Sequence, residues 1–202
     1  MLNIHCKWFL CFGLYLFVLL SGVATAMAQD YPALTPEKIE AFLASYEDLG
    51  PYKYTMVLDD GTNEYQTRYD KANGERFGLY SNLIPLMKEQ SQERYDAVGE
   101  IVKKHGFSSP EDWAATGDFI YLAYSLVNPE GLDHNGRGEV EEMEPETLAL
   151  MPENVREYMQ LENNKTRVYV EAAGKISNSD KEAVKPYMQR LEDVTGFDKA
   201  TF

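Results

Sequence analysis

Apolar residues recur along most of this chain at the three-and-four spacing of a helix face, and the breaks in that rhythm divide it into elements. Thr35-Pro36-Glu37 places a capping residue, a proline at the first helical position and an acid in the first turn. Ile39, Phe42, Leu43, Tyr46 and Leu49 then share one face until Gly50-Pro51 ends the run. Leu83, Leu86, Met87, Tyr95, Val98, Ile101 and Val102 predict one long helix, stopped by Gly106 after the cations Lys103, Lys104 and His105. Ser109-Pro110-Glu111-Asp112 opens the next, whose apolar face is Trp113, Gly117, Ile120, Tyr121, Tyr124 and Val127. Two more follow, one opening near Pro152 with Val155, Met159, Tyr169 and Val170, the other near Ser179-Asp180 with Val184, Met188, Leu191 and Val194, where Pro186 predicts a kink.

Two stretches break the pattern. Between residues 51 and 76, Tyr52, Tyr54 and Met56 alternate with polar positions, Asp59-Asp60-Gly61 makes a turn, and Tyr65, Thr67 and Tyr69 alternate again before Asn73-Gly74. That pattern predicts a Tyr-rich loop or short hairpin inserted among the helices. Residues 129–145 form an acidic, Gly-rich loop. The expected architecture is mainly α, a single helical bundle of about five helices with this one insertion.

The N-terminus carries a different kind of apolar run. Lys7 is the only Lys or Arg before an uninterrupted stretch from Trp8 to Val23, and small residues at Ala26 and Ala28 precede the polar Gln29 and Asp30. This is the layout of a cleavable secretory signal peptide over residues 1–28, cut after Ala28, and it predicts a periplasmic or secreted domain over residues 29–202 with no membrane anchor after cleavage. Cys6 and Cys11 both lie in the leader, so the exported domain has no thiol and no disulfide.

Composition narrows the partners. Removing Lys7 leaves 18 Lys and Arg against 33 Asp and Glu, a net charge of −15, and such a surface repels nucleic-acid phosphates and anionic lipid. Thirteen of the 14 tyrosines remain in the exported part, and tyrosines spread over helix faces are expected at the rim of the core with the hydroxyl outward.

The segment from Asp133 to Glu144 has the outline of a calcium loop. Asp133, Asn135 and Glu139 stand at the first, third and seventh positions, Gly138 makes the sharp turn, and Glu144 stands at the twelfth, where a bidentate ligand belongs. Against Ca²⁺, Arg137 occupies the fifth position, where an oxygen ligand is needed. Pro129, Gly131 and Pro145 also interrupt the flanking helices that such a loop requires. A guanidinium bridging Asp133 and Glu144 would neutralise the same carboxylates without an ion.

Catalytic signals are sparse. The exported part holds only His105 and His134, with no Gly-x-Ser-x-Gly elbow, no His-Glu-x-x-His and no phosphate-cradling glycine loop. His105 follows from its place at a helix C-terminus, and pairs such as Glu111 with Asp112 or Glu141 with Glu144 fit a helix start and a solvated loop.

Leu34-Thr35-Pro36-Glu37-Lys38-Ile39-Glu40-Ala41-Phe42, then His105-Gly106-Phe107-Ser108-Ser109 leading to Trp113-Ala114 and Gly117-Asp118, and finally Lys185-Pro186-Tyr187 resemble a family of small exported all-helical proteins of Gram-negative bacteria whose members have no assigned activity. The resemblance implies a helical fold and export, and it implies no catalytic residue. The sequence thus leads to a non-catalytic periplasmic protein that binds a protein, a peptide or an apolar ligand. A calcium-binding domain using Asp133, Asn135, Glu139 and Glu144, and a hydrolase with an unlocated site, stand as alternatives.

Overall fold

The computed structural model describes residues 33–50, 52, 64–128 and 145–197, all within one compact unit, Tyr31–Phe202. The described residues are mainly helical and contain no strand, in agreement with the expected all-α class. The helices are α1 (Pro36–Asp48), α2 (Glu64–Glu75), α3 (Leu83–Gln90), α4 (Gln92–Lys104), α5 (Pro110–Val127), α6 (Pro145–Ala149), α7 (Glu153–Ala173), α8 (Asn178–Val184) and α9 (Met188–Thr195), with a 3₁₀ turn at Lys185–Tyr187.

Local chemistry starts the helices where the cap signals stand. Thr35 is extended and its hydroxyl accepts from Lys38 N at 3.3 Å, while Ser109 does the same for Asp112 N at 3.2 Å. Gly106, at φ 90°, turns the chain out of α4 in a conformation that a side chain disfavours.

The centre of the bundle is α5. Every residue from Thr116 to Ser125 is buried, so the helix is covered on all sides instead of along the single stripe expected from its spacing. Helices α1, α3, α4, α7 and α8 pack around it, whereas α2 packs chiefly on α7. Phe42 stacks on Trp113 at 5.4 Å, and Tyr80 meets the same indole edge-on at 5.3 Å. The indole N–H donates to Ser45 Oγ at 2.9 Å, and the Ser45 hydroxyl donates to Phe42 O at 2.7 Å, so the buried polar atoms at this contact are satisfied.

Several sequence expectations are corrected. Residues 64–75 form helix α2 and not the second strand of a hairpin; the first half of that insertion lies outside the described residues. The Asn73-Gly74 pair sits inside this helix, where glycine serves close packing: a Cβ on Gly74 would lie 2.7 Å from Leu161 Cδ1. The long helix expected from Leu83 to Val102 is two helices, because Ser91 turns extended and caps α4 through Arg94 N at 3.2 Å. The last helix is capped by Ser177 and not by Ser179. Pro186 breaks it outright, with 3₁₀ geometry between α8 and α9. Of the tyrosines expected at the rim, Tyr46, Tyr69, Tyr95 and Tyr187 are half-buried, whereas Tyr80, Tyr121, Tyr124 and Tyr169 are core residues.

The ends of the described chain meet at Asp180. Its Oδ1 accepts from Leu34 N at 2.9 Å and its Oδ2 accepts from Ser177 N at 3.1 Å, so one carboxylate fixes the approach to α1 and the start of α8 together.

Candidate functional site

The four residues of the calcium-loop reading, Asp133, Asn135, Glu139 and Glu144, lie outside the described residues, as do Arg137 and His134. Among the described residues no group of three His, Cys, Asp or Glu is placed to hold a metal ion.

His105 and Asp48 are brought together. His105 Nε2 lies 2.8 Å from Asp48 Oδ2, joining the C-terminal ends of α4 and α1. A His–Asp pair needs a nucleophile or a substrate proton within reach. Ser108, the nearest hydroxyl in sequence, instead donates to Asp112 Oδ2 at 2.9 Å. Of the acid pair at the start of α5, Glu111 accepts from the Tyr95 hydroxyl at 2.9 Å and Asp112 receives both the backbone N–H and the hydroxyl of Ser108. These groups secure helix ends.

Asp118 has the most unusual surroundings of any acid described. It projects from the middle of α5 and is fully buried. Its Oδ1 accepts from Tyr80 N at 2.7 Å and its Oδ2 from Ser81 N at 3.2 Å, both in the connector Arg76–Asn82 between α2 and α3. Burial pushes its carboxyl up to about 7, against the opposing pull of Ser81, the two N–H groups and the field of Arg76. Around it the connector is tied to itself. Asn82 Nδ2 donates to Asn73 Oδ1 and to Arg76 O, each at 2.9 Å, and Arg76 Nη2 donates to Asn82 Oδ1 at 3.0 Å. Tyr69 donates to Leu79 O at 3.0 Å, and burial holds its phenol well above the usual range. Next to Asp118, Gly117 lets Phe42 and Tyr80 close over the helix, since a Cβ there would lie 2.6 Å from Phe42 Cε2. The segment from Trp113 to Asp118 is therefore a packing block.

The surface offers a second feature. Among the described residues the exposed large apolar side chains all fall between residues 150 and 170: Leu150 at 88 %, Val155 at 38 %, Tyr158 at 64 % and Val170 at 50 %. On α7, Val155, the half-buried Met159 and Val170 recur after nearly whole turns and share one flank; the adjoining flank exposes Tyr158 near the start of the helix and carries Val168, Tyr169 and Ala172 into the core towards its end. The first four turns of α7 bury no residue fully, although α2 runs against them. Periodicity marked Val155, Met159, Tyr169 and Val170 as apolar positions, but it could not separate those that meet the core from those that face outward.

No protein-family model, curated protein or solved structure matches the chain.

Proposed function

We propose that this is a non-catalytic exported protein that binds another protein through the exposed side chains of α7 and the turn before it. The observation that carries this reading is the concentration of exposed apolar side chains at Leu150, Val155, Tyr158 and Val170. Scattered apolar exposure is ordinary, but here three of the four side chains stand on one helix and the fourth in the turn before it, and an apolar helix surface is a common meeting place for partners. The excess of 33 Asp and Glu over 19 Lys and Arg favours solubility and discourages nucleic acid and anionic membrane as partners. The layout of residues 1–28 supports action outside the cytoplasm, in the periplasm, after removal of the leader.

The test is a photo-crosslinking capture from periplasm with the probe residue at position 158, compared with the same probe at the exposed Glu93 on α4. A discrete adduct from position 158 that vanishes with Val155→Asp, while the melting temperature stays unchanged, is the expected result. Identical capture from both positions, or capture indifferent to Val155→Asp, would sink the proposal.

A further inference from the structure

Helix α7 carries three cations, Arg156, Lys165 and Arg167. Lys165 is occupied inside the bundle, where its ammonium meets Asp70 of α2 and Glu162 of its own helix, each at 3.0 Å. The half-buried Arg156 and the exposed Arg167 make no side-chain hydrogen bond or ion pair among the described residues. On other helices the guanidinium groups find carboxylates: Arg68 meets Glu89 at 2.6 Å and Arg190 meets Glu40 at 2.5 Å. In a chain with 33 acids and 19 Lys and Arg, two arginines left over on one helix are a local reversal of sign.

Their positions relate them to the apolar flank. Arg156 and Arg167 are 11 residues apart, close to three whole turns, so they stand in one row along the helix about 16 Å from each other. The row lies beside the flank of Val155, Met159 and Val170 and roughly opposite the side that meets α2, where Gly74 approaches Leu161 and Asp70 holds Lys165. Glu153, Glu157 and Glu171 come next around the helix, beyond the arginines, and Glu171 is already paired with Lys175 at 3.7 Å. A partner lying along the apolar flank therefore meets two uncompensated guanidinium groups at its edge before it meets any of these three acids. Guanidinium groups with free donors favour carboxylates, which they take in bidentate fashion. From Val155 to Val170 the flank is about 22 Å long, or four turns, which matches a helix of ordinary length.

We infer that the partner bound by α7 is an acidic amphipathic helix of another protein, its apolar stripe seated on Val155, Met159 and Val170 and two of its carboxylates, three turns apart, on Arg156 and Arg167. This rests on the reading of α7 as a protein-binding surface and adds the partner's chemistry to it. The chain's overall negative charge works against phosphate backbones and anionic lipid as the source of the negative groups, because these bring many charges at once. A pair of carboxylates held against α7 feels chiefly the two arginines, since more distant charges are screened.

The test uses the purified protein and two synthetic helical peptides of about four turns, identical in their leucine stripe and differing at two edge positions three turns apart, glutamate in one and lysine in the other. Fluorescence anisotropy should show the glutamate peptide binding about tenfold more tightly, and ~1 M salt should remove the difference. Arg156→Glu with Arg167→Glu should reverse the preference, Arg156→Lys with Arg167→Lys should keep it, and neither pair should alter the melting temperature. Equal binding of both peptides, or binding of neither, would overturn the inference. So would arginine-dependent binding to phosphatidylglycerol vesicles in place of the glutamate peptide, or a dimer in sedimentation that the glutamate double variant dissociates. Crosslinking capture at position 158 that needs Val155 but ignores the glutamate double variant would leave α7 as a protein-binding surface and remove its acidic partner. Loss of that capture altogether would remove both.

Discussion

Gly117 shows how narrow the tolerance is at the level of single atoms. The contacts of 2.6 Å and 2.7 Å that a Cβ would make with Phe42 and Tyr80 are with two rings that themselves rest on Trp113, so neither has free space to retreat into. Gly117→Ala is therefore expected to destabilise the protein by ~1–3 kcal/mol, the range for overpacking a filled core, although alanine is the better helix former. The lowered midpoint should be read by urea denaturation, and an unchanged or raised midpoint would mean that the aromatic cluster adapts. Asp118, the next residue, was not legible in sequence because its partners are backbone amides 37 and 38 residues away. A lone acid after a glycine in a helix reads as a solvated position, and only the tertiary fold shows that it is buried.

At the scale of elements, legibility tracked how local the cause was. Thr35 and Ser109 announce their helices because the capping oxygen and the amide it satisfies are three residues apart. Ser91 uses the same device, but it stands between two apolar runs whose spacing continues across it, and so the break between α3 and α4 was hidden. Ser91→Ala should cost about 1 kcal/mol by loss of the cap and leave the fold intact. A thermal melt should show this as a fall of a few degrees; no change would mean that α4 needs no cap at that end. Helix α2 was misread for a different reason. Its tyrosines and threonine favour strands in isolation, and it is helical because α7 offers a surface that admits Gly74 at close range. Val155 and Val170 belong with it, since apolar spacing on a helix predicts a face and not what covers that face.

At the largest scale, the described residues form a set of helices closed around one buried helix, and their all-α class was legible because several of the helix boundaries carry local signals. The arrangement of those helices was not. Every wall around α5 comes from a different part of the chain, from Phe42 on α1 to Leu191 on α9 and Phe197 beyond it, whose ring lies 5.0 Å from Tyr121. The bond from Leu34 N to Asp180 spans 146 residues and ties the beginning of this assembly to its end. That single contact has a consequence in time. A ribosome making this chain has already added the whole of α5 and α7 when Asp180 appears, and Leu191 and Phe197 come later still. Until then α5 has an open side and the first helix has no anchor, so the growing chain cannot settle into its final form. Chains ended before Asp180 should be degraded by a dilute protease within the period that leaves a chain running through Phe202 intact, and equal survival would contradict this order. A first helix whose anchor stands 146 residues further on stays unsecured while everything between them is made, and through that interval the chain remains open enough to be threaded.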